Sequence, residues 1–147
     1  MEKVASRHGD RHPELLELQK LFGSVCDDLG PHMMKEEMVL FPYIVKLETR
    51  FLHELPGSRP HFGTITNPVH AMNFEHEEVG DLLLQMRAVS NEYALPEGAC
   101  TSYTALYARL VDLERDLHQH IHLENNILFP RAIEMERKVF GESPAFA

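Results

Sequence analysis

The sequence predicts an all-α fold, a helix bundle, and three observations carry that prediction. Strand signals are almost absent, while three long stretches repeat apolar residues at helical spacing. The length of 147 residues suits one domain with a sizeable core, expected over 1–147. An eleven-residue pattern also occurs twice, as His32-Met-Met-Lys-Glu36-Glu-Met-Val-Leu40-Phe41-Pro42 and as His120-Ile-His-Leu-Glu124-Asn-Asn-Ile-Leu128-Phe129-Pro130. Both copies read H-x-x-x-E-x-x-x-L-F-P. A helix returns to nearly the same face every four residues, so each copy sets an imidazole, a carboxylate and a leucine in one row.

Taken in order, residues 2–8 read as a short helical stub closed by Gly9. The first long helix is expected over about 13–54, with Leu15, Leu18, Phe22, Val25 and Leu29, then Met33, Leu40, Ile44 and Leu47 on its apolar side. Gly30-Pro31 predicts a kink or break near 31, because proline removes a helix hydrogen bond and crowds the preceding turn; Pro42 should disturb the helix again. Turn chemistry makes 55–66 a loop. Asn67-Pro68 reads as an N-cap followed by proline at the first helical position, and the second helix should span about 68–92 through Met72, His76, Val79, Leu83 and Met86. After a loop at 94–98, Thr101 or Ser102 caps a third helix over about 102–139, with Pro130 inside it. Three long helices and a stub are one helix short of a four-helix bundle.

Composition narrows the function. The formal net charge of −9 argues against a nucleic-acid or anionic-membrane binder. No apolar run approaches the roughly 18 residues of a membrane span, and the N-terminus carries no apolar signal region. Cys26 and Cys100 are isolated, with no C-x-x-C pair, and read as small core or surface residues in a reducing, cytoplasmic compartment.

The leucines mark both repeat rows as core-facing, so His32, Glu36, His120 and Glu124 should point inward. A buried carboxylate without a partner is costly, and metal ions between two facing rows resolve that cost. His76, on the core row of the second helix, is the best fifth ligand, with Gly80 at i+4 leaving space beside it. Each glutamate can bridge two metals while each histidine binds one. By symmetry a sixth ligand should precede Pro13, where only His8 and His12 are available; otherwise the position is open to water. His118 and His122 lie roughly 200° around the helix from His120 and should face away. Glu75 and Glu77 read as solvated or as supports of the ligands, Lys35, Glu37 and Glu78 as an outer face, and Met33, Met34 and Met38 as core filler. Mixed imidazole and carboxylate ligands without thiolates favour iron, with manganese and zinc behind it.

Several segments carry a resemblance. Lys3-Val4, His8-Gly9-Asp10, His12-Pro13-Glu14-Leu15, His32-Met-Met-Lys-Glu36-Glu37, Leu40-Phe41-Pro42, Glu75-His76-Glu77-Glu78 with Gly80, Glu97-Gly98-Ala99-Cys100-Thr101 and the whole second repeat resemble the hemerythrin-like domain of the repair of iron centres family. The resemblance covers nearly the whole chain. It implies an up-down four-helix bundle with two non-heme iron ions held by His32, Glu36, His76, His120 and Glu124, both glutamates bridging. The family carries a further histidine on an earlier helix and a small N-terminal domain with a cysteine motif. Neither is in this sequence, so the expectation is a domain shortened at its N-terminus with one iron position weakened.

The implied function is repair of iron–sulfur clusters damaged by nitrosative or oxidative stress, by iron donation, by nitric oxide reduction, or both, with iron–sulfur proteins as clients. An enzymatic activity of the nitric oxide reductase type is left open. The competing expectations are a carrier or sensor of dioxygen or nitric oxide without turnover, and a metal-free structural bundle that forms a homodimer through an exposed apolar seam.

Overall fold

The computed structural model describes residues 1–141, and they contain only helices, turns and loops. Six α-helices occur in order: α1 Glu2–His8, α2 Glu14–Lys35, α3 Phe41–His53, α4 Thr66–Val89, α5 Thr101–Leu123 and α6 Phe129–Phe140. A five-residue π turn, Glu36–Leu40, joins α2 to α3, and a second, Glu124–Leu128, joins α5 to α6. The expected three long helices and stub are therefore present, two of the long helices each carrying a π turn. No helix among the described residues is long and apolar enough to cross a membrane.

The π turns show how the two L-F-P tails are accommodated. Proline has no N–H to give to the carbonyl four residues back, and its ring crowds that carbonyl. In both places the turn before it widens: Phe41 N–H bonds to Glu36 O and Phe129 N–H to Glu124 O, five residues back instead of four. Each widened turn begins on the repeat's glutamate. The disturbance expected at Pro42 thus takes the form of an inserted residue.

Pro31 behaves differently, since α2 runs through it without interruption and the expected break is not there. Pro31 and Asp27, whose carbonyl loses its donor, are both exposed, so water can satisfy that carbonyl.

The chain divides into two compact units, residues 1–29 with 77–120 and residues 30–76 with 121–147. In the first, the core joins Leu15, Leu18 and Val25 of α2 to Val79, Leu83 and Met86 of α4 and to Tyr103, Tyr107 and Leu110 of α5, with Val4 and Ala5 of α1 packed on them. The three-and-four spacing on each helix is the amphipathic pattern read from the sequence. Gly9 is needed after α1 because a Cβ there would lie 2.6 Å from Ala5 O. The α4–α5 connection turns through three successive positive-φ residues, Asn91, Glu92 and Tyr93. Ser90 Oγ accepts from Tyr93 N–H at 3.1 Å, and burial of the Tyr93 ring edge-on to Tyr107 offsets the strain. Sequence reasoning did not single out buried Glu114, whose carboxylate accepts from Arg87 Nε.

In the second unit, Leu40, Tyr43, Ile44 and Leu47 pack with Ile65, Val69 and Met72 and with Phe129 and Ala132. Buried Glu136 of α6 ties down the loop entering α4. It accepts from Tyr43 Oη at 2.7 Å, from Ile65 N–H at 3.0 Å and from the Thr64 hydroxyl. Those bonds explain why α4 begins at Thr66. Asn67 does not cap it but donates its side-chain amide to Phe62 O at 2.9 Å from inside the first turn.

Two expectations are corrected by packing. Met33, Met34 and Met38 are not core filler; they are 47, 61 and 72 % exposed, because the inward positions of that stretch are taken by His32, Glu36 and Leu40. Gly80 is not needed to make room, since a Cβ added there meets nothing within 4 Å. Gly80→Ala should therefore raise stability by roughly 0.5–1 kcal/mol, the usual helix-interior difference, read as a higher urea midpoint; a lower midpoint would restore a spatial role for the glycine. Tyr43→Phe should cost about 1–3 kcal/mol, as expected for deleting a buried donor to a carboxylate, and an unchanged midpoint would show that Glu136 is held adequately by Ile65 and Thr64.

Candidate metal centre

His32, Glu36, His76 and Glu124 are all buried, and His120, one turn before Glu124 on the same helical run, is partly buried. One ligand atom from each of these five residues lies within 4.8 Å of all the others, a group able to hold a metal ion. These are the five residues singled out from the repeats and the second helix. His32 Nε2 is 3.2 Å from Glu36 Oε1, His76 Nε2 is 3.3 Å from Glu124 Oε2, and the two Nε2 atoms face each other at 3.0 Å.

The outer nitrogens of the two facing rings decide what the inner ones can do. His32 Nδ1 is 2.8 Å from Glu75 Oε2, and His76 Nδ1 is 2.9 Å from Asn125 Oδ1. Both partners are acceptors, so each Nδ1 carries the hydrogen and donates it. In the neutral rings both Nε2 atoms then present lone pairs, to each other and to the Glu36 and Glu124 carboxylates. Acceptors converging in a buried space require a positive charge among them. A proton supplies it in part. Burial alone would lower the His32 pKa, but its bonds to Glu36 and Glu75 outweigh burial and the net shift is upward. Metal cations would supply it in full, and the donor set of neutral imidazoles and carboxylates is what they require.

The supports are arranged as metal-ligating histidines usually are, with the far ring nitrogen held by a carboxylate or amide. Glu75 is in turn bound by Lys35, which reaches back from the end of α2; burial would raise its pKa, but Lys35 and then His32 bring it below the usual carboxylate range. Glu75 thus supports a ligand, one of the two roles expected for it, and Lys35 is more than outer-face charge. Sequence reasoning missed Asn125, although it sits in the repeat beside Glu124. His76 also stacks parallel to Phe129 of the second L-F-P, with ring centroids 6.3 Å apart.

The remaining histidines stand elsewhere. His53, His61, His70, His118 and His122 are exposed. His8 and His12 are not in the ligand group: His8 Nε2 lies 3.1 Å from Cys100 Sγ, and His12 Nδ1 lies 3.0 Å from Glu14 Oε1.

Comparison with known proteins agrees with this chemistry. The family model described as the hemerythrin HHE cation binding domain matches residues 1–132. The chain is 41 % identical over 116 residues to the iron-sulfur cluster repair protein YtfE of Edwardsiella ictaluri, covering 79 % of this chain and 47 % of that protein. It is 36 % identical over 128 residues to the iron-sulfur cluster repair protein ScdA of Staphylococcus haemolyticus, covering 86 % and 53 %. With the iron-sulfur cluster repair protein DnrN of Neisseria gonorrhoeae it shares 38 % identity over 133 residues, 90 % of this chain and 75 % of that one. The chain thus spans about half the length of YtfE and ScdA and three quarters of DnrN. By its match over nearly all its length, the chain belongs to the hemerythrin HHE cation binding domain family.

Proposed function

We propose that this chain is the metal-binding domain of an iron–sulfur cluster repair protein, and that it works as a single domain holding iron at His32, Glu36, His76, His120 and Glu124. The observation that carries the reading is the convergence of acceptor atoms from two facing imidazoles and two buried carboxylates, each imidazole oriented from outside by Glu75 or Asn125. The similarity to YtfE, ScdA and DnrN supports repair in preference to carriage. The cytoplasm is the proposed setting, consistent with two free cysteines.

Iron held by these residues would supply redox chemistry toward nitric oxide or oxidants, and would be the cargo in donation to a damaged cluster. The chain's own groups do the rest. Glu36 and Glu124, one from each repeat, would hold the metal with their carboxylates, and His32, His76 and His120 would add imidazole ligands. Five ligands leave coordination positions for a small molecule or for a ligand that takes the metal away. The raised His32 pKa sets a proton in competition with metal, so retention weakens as pH falls through that value.

Two outcomes test this. Iron content by mass spectrometry should reach two per chain at most, fall for both ions in Glu36→Ala and fall mainly for one in His76→Ala. The wild type should transfer its iron to an apo iron–sulfur acceptor, with Glu36→Ala unable to do so. Reversible dioxygen binding without transfer would favour the carrier instead. Separately, Glu75→Gln should weaken iron retention against a chelator roughly 10–100-fold by loosening His32, while Glu77→Gln, at an exposed neighbour, should leave it unchanged; equal behaviour of the two variants would remove Glu75 from the site.

A further inference from the structure

The second unit contains a cleft of about 350 Å3 whose chemistry is opposite to that of the chain as a whole. In a protein of net charge −9, Lys46, Arg50, Arg59 and His61 line it together, and no described carboxylate does. Its apolar lining includes Met38 and Val39.

Neutral groups hold Arg50 in place without cancelling its charge. Arg50 Nη1 donates to Ser58 O at 3.4 Å, and its guanidinium lies 5.9 Å from the centre of the Phe140 ring. The Arg59 guanidinium addresses the same ring at 5.5 Å and donates to Gly141 O. Gly57 lets the loop lie close over the guanidinium: a Cβ there would come within 2.5 Å of Arg50 Cζ and would push the tip of that side chain aside. Among the described residues neither Lys46 nor Arg50 has an ion-pair partner. Like charges held close repel, and an occupant with several negative charges removes that cost. Planar guanidinium groups suit carboxylate and phosphate oxygens, and the cleft has the size of a small-molecule site.

We propose that this cleft binds a small organic polyanion, a molecule carrying at least two carboxylate or phosphate groups on a carbon skeleton. The cations take the charged groups, and the side chains of Met38 and Val39 take the skeleton. Those two residues belong to the π turn that begins at Glu36, so the occupant rests on the turn that presents a candidate metal ligand. The proposal does not depend on the metal or on the repair reading.

Isothermal titration of the purified chain at 150 mM sodium chloride tests it, with tricarballylate as a polycarboxylate that chelates iron weakly, fructose 1,6-bisphosphate as an organic phosphate, and sulfate as a bare anion. At least one of the two organic anions should bind saturably and more tightly than sulfate; which one binds identifies the source of the charge. Lys46→Gln and Arg50→Gln should each weaken that binding at least about tenfold, and Arg115→Gln, at an exposed arginine of α5, should not. Lys46 is exposed, so its variant keeps the fold even if Arg50→Gln loosens the loop. Absence of saturable binding by both organic anions, equal weakening by Arg115→Gln, or sulfate binding as tightly as they do would overturn the proposal. Metal content measured before and after titration separates anion binding from metal removal.

Discussion

The constraint on which this structure turns is the burial of ionisable acceptors in place of hydrocarbon. His32, Glu36, His76 and Glu124 occupy inward positions that leucine or valine would ordinarily fill. A buried carboxylate costs far more than a buried methyl group contributes unless a positive charge and well-placed donors accompany it. The surrounding residues meet that requirement from outside in. Lys35 holds Glu75, Glu75 holds His32, and Asn125 holds His76. Each link fixes which ring nitrogen bears hydrogen, and the chain of links ends on two nitrogens that can only accept. The remaining positive charge has to come from a proton or a metal.

The π turns belong to the same constraint. An imidazole and a carboxylate four residues apart share a face only while the helix stays regular, so His32 and Glu36 need α-helical geometry between them. The L-F-P tail then breaks that geometry immediately after the glutamate. The inserted residue lets Tyr43, Ile44 and Leu47, beyond the proline, face the same core as Leu40 before it. The second repeat solves the same problem in the same way, ending on Phe129, which is buried and lies parallel to the His76 ring. The repeat is therefore more than a ligand motif. Its first half places donors, and its second half returns the helix to the apolar core.

What could be read from the sequence was whatever depends on spacing along one helix. The rows at His32 and His120, the inward position of His76, the outward positions of His118 and His122 and the three long helices all follow from periodicity, and the structure has them. What could not be read depends on partners distant in sequence or on the response of the backbone. Asn125 sits in the motif, but nothing in its spacing says that it meets a residue 49 positions away. Glu136, Glu114 and Arg87 look like ordinary surface charges until the loop at 64–65 or the end of α4 is folded against them. Pro42 announces a disturbance and Pro31 another, yet only the first widens the helix. The exposed methionines show the limit of reading by residue type: Met34 and Met38 are apolar, but the inward face next to them was already taken by the ligands.

The distribution of charge extends the argument from the site to the molecule. Much of the acidic excess lies on exposed helix faces, where solvent screens it. The two glutamates of the repeats are the costly part, since they are buried, and a bound cation would remove them from the effective charge. The cations follow the opposite rule. Lys35 is committed to Glu75 and Arg87 to Glu92 and Glu114, whereas Lys46 and Arg50 line one cleft, Arg50 held there by a backbone carbonyl and the Phe140 ring. A protein that needed them only for solubility would gain more by pairing them with its surplus of acids. Holding them apart from those acids, along one side of α3, keeps positive charge available to something that is not part of the chain.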